Sequence, residues 1–98
     1  MASLDLEELR LSQLDSAPIS DNEGGYIVIL YNDDYHALDE VVSQVQIATG
    51  YDIQRCIEIT LAAHTLGRSI AYSGDEAECE RVAGTLRRIR LQVETDRL

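Results

Sequence analysis

The sequence predicts an α+β fold in which a small three-stranded antiparallel sheet is packed by three helices, in the order β-α-α-β-α-β. Three features support this prediction. An apolar run at 26–31 is rich in β-branched and aromatic residues, which is typical of a buried strand. Between residues 37 and 87, three segments repeat apolar residues at helical spacing. Near the C-terminus, apolar and polar residues alternate, as they do in a half-buried strand.

The first strand follows Gly24 and Gly25 and ends at Asn32, Asp33 and Asp34. Asn and Asp side chains bond to their own backbone, so this triplet breaks the strand. The triplet also places one amide and two carboxylates at the strand end, and their oxygens are the acceptors that an ammonium group requires. The simplest functional hypothesis is therefore a cation-binding rim. The alternative is an Asx-type turn that only reverses the chain.

Two helices are predicted next. The first covers about residues 37–49 and ends at Gly50, because glycine favours the left-handed backbone at a helix end. Asp52 is placed to cap the second helix, which ends at Gly67. The inward residues predicted for the first helix are Leu38, Val41, Val42, Val45 and Ala48. Those predicted for the second helix are Ile53, Cys56, Ile57, Thr60, Leu61 and His64.

The third helix is predicted from Asp75 and Glu78, which have the spacing of a capping box. Its predicted inward residues are Cys79, Val82, Ala83 and Leu86. A short second strand at 69–73 precedes this helix. A final strand follows it, in which Ile89, Leu91 and Val93 alternate with Arg90, Gln92 and Glu94.

The composition divides the 98 residues into two parts. Residues 1–25 contain six acids and a single arginine, which predicts a flexible acidic N-terminal extension. Residues 26–98 are predicted to form the core domain. Cys56 and Cys79 lack a metal-binding spacing and are expected to be buried free thiols in a reducing compartment.

The charge balance bears on the class of partner. Acids outnumber bases by 18 to 8, giving a net charge of −10, and phosphate binding needs clustered cations, so we expect no nucleic-acid partner. No apolar run approaches the roughly 18 residues of a membrane span, so we expect no membrane partner. The start of the chain carries no targeting pattern, and we expect a cytoplasmic protein.

Two motifs together resemble a known family. Asn32, Asp33, Asp34 and Tyr35 are followed, after a helix-length gap, by a His-x-x-Gly-Arg segment that begins at His64. This order and spacing resemble the ClpS family of ATP-dependent Clp protease adaptors, over about residues 26–94. The resemblance implies the α/β sandwich of that family and a non-catalytic adaptor without cofactor or metal. Such an adaptor binds N-degrons and delivers them to a ClpA- or ClpC-type AAA+ unfoldase, through its N-domain, and to the ClpP protease.

The resemblance also implies how a chain end is recognised. A free α-amino group has a positive charge and three N–H donors, and Asn32, Asp33 and a neutral His64 supply three acceptors. A peptide N–H in mid-chain has one donor and no charge, so buried acceptors would stay unpaired at about 1 to 3 kcal/mol each. Because His64 must accept a hydrogen bond, we expect binding to weaken as acid protonates its imidazole.

The first residue of the N-degron enters an apolar pocket in this family. By similarity to ClpS proteins, the pocket walls are Leu38 and Val41 from the first helix, Thr60 and Ala63 from the second, and Ile89 from the last strand. A pocket of this width is expected to take Leu, Phe, Tyr or Trp.

The resemblance assigns two further roles. Asp34 and His36 are assigned to contacts with the peptide at the rim. Glu76 and Arg81 occupy the positions that dock the unfoldase in the family, although the same residues also fit an ordinary solvated helix face.

The chain departs from the family beside the lip. His36, Ala37 and Leu38 stand where ClpS proteins usually carry Thr or Ser, then Pro, then Met, and Ala63 stands where Val is common. His36 is bulkier and can ionise, and a branched Leu38 replaces a flexible side chain. We therefore expect an altered or narrower preference for the first residue.

Two alternatives remain open on the sequence alone. Asp33, Asp34, His36 and His64 are legitimate metal ligands for a small hydrolase, but no established ligand spacing is present. The second alternative is a protein-interaction module similar to the C-terminal domain of the ribosomal stalk protein. That stalk domain lacks the Asn-Asp-Asp and His-x-x-Gly-Arg motifs. A capped peptide amine would abolish binding only to an adaptor.

Overall fold

The computed structural model describes residues 25–98, so the predicted acidic extension lies outside the described residues apart from Gly25. The described chain has three strands and three helices in the predicted order, which confirms the α+β fold class. In chain order they are β1 (Tyr26–Tyr31), α1 (Leu38–Thr49), α2 (Ile53–Leu66), β2 (Arg68–Gly74), α3 (Glu76–Arg87) and β3 (Val93–Arg97).

β1 is the central strand of the sheet. It pairs antiparallel with β2 on one side and with β3 on the other. Beyond its last residue the pairing continues, because the Asn32 N–H donates to the Gly67 carbonyl at 2.9 Å. The end of β1 is therefore bonded to the residue that ends α2.

The core lies between the sheet and the three helices. Val28 and Leu30 of β1 are 0% and 1% exposed, and they belong to one buried cluster with the inward residues of all three helices. The predicted inward residues of α3 are confirmed, since each is fully buried. Both cysteines are free and buried, as predicted.

The predicted helix ends are confirmed by their hydrogen bonds. The Asp52 carboxylate accepts from the Arg55 N–H at 2.9 Å, and the Asp75 carboxylate accepts from the Glu78 N–H at 2.7 Å. Gly50 and Gly67 end α1 and α2 with φ of 77° and 97°, a left-handed backbone that glycine adopts without steric cost.

The predicted inward face of α2 is confirmed at Cys56 and Thr60 but is wrong at most of its other positions, because the helix is rotated. Ile53 and Leu61 are 49% and 45% exposed, and His64 is exposed as well. The residues that α2 buries are Cys56, Ile59, Thr60, Ala62 and Ala63. Small side chains on this face allow a close approach to the sheet, and the Ser69 hydroxyl donates to the Ile59 carbonyl at 2.8 Å.

The predicted start of the last strand is also wrong. β3 begins at Val93, and Ile89 lies in the turn that precedes it. The reason is local, since α3 ends with the Leu91 N–H bonded to the Leu86 carbonyl and with Arg90 at a φ of 67°. This left-handed residue turns the chain before the strand can start.

None of the helices within residues 25–98 is long and apolar enough to cross a membrane.

Candidate functional site

Asn32, Asp33 and Asp34, here called the polar lip, end β1 beside the C-terminal turn of α2. Because the Asn32 N–H is bonded to the Gly67 carbonyl, the lip lies next to the last turn of α2, which carries His64. The predicted amine ligands, and every predicted pocket residue except Ile89, line one small cavity at this point. Its walls are Leu30, Tyr31, Asn32, Asp33, Leu38, Val41, Thr60, Ala63 and His64.

Two buried polar atoms of this cavity have no hydrogen-bond partner among residues 25–98. The Asn32 amide nitrogen donates to the Asp34 carboxylate at 3.2 Å, which orients the amide and leaves its Oδ1 free. The Thr60 hydroxyl is also buried and unpaired. Buried polar atoms almost always have a partner, so these two atoms are the ones most suited to meet donors of a ligand.

The Asp33 carboxylate is engaged by its own chain. Its Oδ1 accepts from the Tyr35 N–H at 2.8 Å, which is the Asx-type turn considered from the sequence. Its Oδ2 contacts Nδ1 of His36. Burial alone would raise the pKa of Asp33, but the bonds from Tyr35 and His36 outweigh it and hold that pKa below its usual value. Asp33 can therefore form the Asx-type turn and still accept a hydrogen bond from a ligand.

The His36 side chain is bonded to Asp33 and does not extend freely toward a peptide. Its bond to the Asp33 carboxylate raises the pKa of the imidazole, although burial opposes the shift, and Glu40 adds a further negative charge nearby. The positively charged form of His36 is thus stabilised directly beside the lip. Sequence reasoning assigned His36 to the peptide and missed its contact with Asp33, for which the three-residue spacing was the available signal.

The cavity is small in this structure. Its volume of about 10 Å³ holds about one water molecule. Leu38 is 40% exposed and is the first residue of α1, whose N-cap Ala37 offers no side-chain hydrogen bond. A bulky side chain therefore enters only when the walls move, and Leu38 is the least buried apolar wall.

A larger open groove adjoins the cavity. We call it the lip groove; its volume is about 370 Å³, within the ~300 to 1,000 Å³ range of ligand sites. It shares Asn32 and Asp33 with the cavity, so the two spaces meet at the lip. The groove is lined by Asn32, Asp33, Asp34, Tyr35, Arg90, Leu91 and Gln92.

The remaining predicted residues lie elsewhere. Ile89 is in the turn before β3 and does not line the cavity. Glu76 and Arg81 are exposed on α3, and the Arg81 guanidinium donates to the Ala48 carbonyl at 3.4 Å. Arg81 thus also contributes to the C-terminal end of α1.

The candidate metal ligands do not form a cluster. Within residues 25–98, no group of three or more His, Cys, Asp or Glu side chains is placed to hold a metal ion. The metal-hydrolase alternative therefore has no ligand set in the described part of the chain.

Comparison with known proteins identifies the family. The sequence model of the ATP-dependent Clp protease adaptor protein ClpS matches residues 21–94, a range that contains the lip, the cavity and the groove. The chain belongs to the ClpS family.

Individual relatives agree with this assignment. The ATP-dependent Clp protease adapter proteins ClpS of Escherichia coli O1:K1 and of Citrobacter koseri are each 40% identical to the chain over 55 residues. These matches cover 54% of the chain and 52% of each relative, so they span about half the length of these ClpS proteins.

A solved structure shares the fold. The structure of Agrobacterium tumefaciens ClpS2 bound to L-phenylalaninamide matches with a TM-score of 0.70 and 19% sequence identity. The match covers 74% of this chain and 95% of that ClpS2 chain. At this identity, the likeness establishes the common ClpS fold.

Proposed function

We propose that this ClpS-family protein is a non-catalytic adaptor that binds N-degrons by their free α-amino group and bulky hydrophobic first residue. It would then deliver them, in the cytoplasm, to a Clp AAA+ unfoldase and its ClpP protease. The observation that carries the proposal is the unpaired, buried Oδ1 of Asn32 in a cavity also lined by Asp33 and His64.

The chemistry of the cavity matches an α-ammonium group. Asn32 offers an amide oxygen, Asp33 a negative charge, and a neutral His64 a ring nitrogen, which together match three N–H donors on one cation. An acetylated terminus has one donor and no charge, so it would leave buried acceptors unpaired at about 1 to 3 kcal/mol each.

The apolar walls support recognition of the first side chain. Leu30, Leu38, Val41 and Ala63 adjoin the polar acceptors in the same cavity. Burying a Leu, Phe or similar side chain contributes roughly 1.5 to 3 kcal/mol. The solved ClpS2 relative holds L-phenylalaninamide, whose aromatic side chain and free α-amine are of this type. The cavity must widen before it can hold such a side chain.

Docking to the unfoldase is proposed on α3. Glu76 and Arg81 are exposed there, and the partner would be the N-domain of a ClpA- or ClpC-type unfoldase. Opposite charges on the two surfaces would set orientation and association rate more than affinity.

The function is tested with paired peptides that begin with Phe and differ only in acetylation of the N-terminus. Fluorescence anisotropy is expected to show binding of the free peptide and loss of at least tenfold in affinity for the acetylated one. Asn32→Ala is expected to reduce binding of the free peptide while leaving the thermal midpoint of unfolding within about 4 °C. The amide oxygen that it removes has no partner among residues 25–98, and the amide nitrogen has only an exposed bond to Asp34.

Two outcomes would overturn the proposal. Equal binding of free and acetylated peptides would favour the stalk-like interaction module instead. Peptide cleavage that a chelator abolishes would favour the metal hydrolase. A peptide series that varies only the first residue then defines the preference among Leu, Phe, Tyr and Trp.

A further inference from the structure

The lip groove is the path that a bound chain would follow away from its first residue. Asn32 and Asp33 line both the cavity and the groove. A peptide whose amine is held at these residues has its first carbonyl beside the same residues, because the two groups share one α-carbon. The second and third residues of that peptide would then lie in the groove.

The charged groups of the groove differ in their availability. Asp33 accepts from the Tyr35 N–H and contacts His36, and Asp34 accepts from the Asn32 amide. Arg90 is exposed, and its guanidinium has no hydrogen bond or ion pair to any residue in the range 25–98. Each acid thus already has a partner within the described chain, and Asp33 keeps further lone pairs for the proposed α-amine. Arg90, the cation among the groove-lining residues, has all its side-chain donors available to a ligand.

The turn itself does not explain an arginine at this place. The Arg90 N–H bonds to the Arg87 carbonyl at 2.8 Å, and the Leu91 N–H bonds to the Leu86 carbonyl at 3.4 Å. These two bonds define a Schellman helix end, in which the residue at the Arg90 position is usually glycine. With a φ of 67°, Arg90 carries a steric cost that glycine would avoid.

We propose that Arg90 forms a subsite for an acidic side chain at the second or third residue of the bound peptide. This inference rests on the proposed function, because recognition of the α-amine sets the position from which those residues are counted. The ligand group is a carboxylate, which a guanidinium binds through paired N–H donors.

The test compares free peptides that begin with Phe and carry Glu, Gln or Lys at position two, and a second set with the same changes at position three. In one of the two sets, the Glu peptide is expected to bind the wild-type protein about two- to fivefold more tightly than the Gln peptide, the range of an exposed ion pair. Lys is expected to bind more weakly than Gln in that set. The preference should shrink at high salt because the contact is solvent-exposed.

Variants separate this contact from an effect on folding. Arg90→Gly is expected to abolish the preference for Glu while the thermal midpoint stays equal or rises, since glycine suits the left-handed backbone. Arg88→Gln is the matched control, because Arg88 is exposed near the same helix end and does not line the groove. It should retain the full preference.

Each failure has a distinct meaning. If acetylation of the peptide amine has no effect, the proposed function fails and the inference fails with it. If acetylation abolishes binding but Glu and Gln peptides bind alike in both sets, the proposed function stands and the Arg90 subsite is overturned. A preference for Glu that persists in Arg90→Gly also overturns it.

Discussion

The imidazole of His36 contacts the carboxylate of Asp33, which is also the group proposed to bind the α-amine of a peptide. A protonated imidazole at Oδ2 of Asp33 places a positive charge where the α-ammonium of a peptide would also be attracted. The two cations therefore compete for one acid. Glu40, the other acid that influences His36, favours the same protonated state.

The sign of the resulting pH dependence follows from the shifted pKa values. The contact with Asp33 raises the pKa of His36 above 6.5, so its contribution to stability is complete below that value and is lost as the pH rises through the raised pKa. Burial opposes the shift at Asp33, but its bonds lower its pKa below 3.8. Its contribution is complete above 3.8 and is lost as the pH falls through the lowered pKa.

Protonation of His36 stabilises the fold, but it is expected to weaken peptide binding. Between pH 5.5 and 6.5, His36→Thr should bind a free Phe peptide roughly two- to fivefold more tightly than wild type, because a competing, partly buried ion pair is removed. The two proteins should converge once the pH lies above the raised pKa of His36, where the imidazole is neutral. Anisotropy titrations at several pH values measure this, and superimposable profiles for both proteins would show that His36 does not compete.

At the scale of single elements, short-range signals predicted the structure well. Asp52 and Asp75 precede apolar patterns at the spacing of N-caps, and both carboxylates accept the expected backbone N–H. The rotation of α2 was not predictable in this way. Its sequence has apolar residues on more than one face, so the choice of Ile59 over Ile53 is made by packing against the sheet.

The cap of α3 gives a prediction for an element outside the site. Asp75→Ala removes the acceptor for the Glu78 N–H and is expected to lower the free energy of unfolding by about 1 kcal/mol, within a range of roughly 0.5 to 2. Urea denaturation measures the change. Asp75→Asn is the control, because Asn caps helices about as well as Asp. An equal loss in both variants would attribute the effect to charge instead.

At the scale of the whole molecule, the sequence located the lip and the helix ends at Gly50 and Gly67, and the family resemblance supplied most of the cavity walls. Neither predicted the groove. The lip and His64 were visible because two motifs have a definite spacing. Arg90 was assigned to a strand because Ile89 to Glu94 alternate in polarity, and the same alternation is compatible with a turn. No glycine marked the left-handed position, so the turn had no signal in the sequence.

The two cysteines provide a probe of the whole core. Cys56 and Cys79 are 0% exposed and lie on different helices. Burial raises the pKa of Cys79 to about 11 and also raises that of Cys56, and thiol reagents attack the thiolate. Both thiols are expected to be unreactive toward a disulfide reagent at pH 8 and to react together as denaturant unfolds the chain. Reaction of one thiol well before the loss of the circular dichroism signal would show that the core opens in parts.

The bond between the Asn32 N–H and the Gly67 carbonyl holds the end of α2 against the central strand. The Ser69 hydroxyl of β2 forms a second bond to α2, at the Ile59 carbonyl. The first turn of α1, which carries Leu38, has no side-chain cap at Ala37, and the side-chain contact of His36 with Asp33 lies before the helix rather than within it. The two sides of the cavity therefore differ in compliance. An incoming residue would therefore displace the α1 wall of the cavity more readily than the α2 wall. Substitutions that stiffen residues 36–38 should slow its entry more than any change in α2.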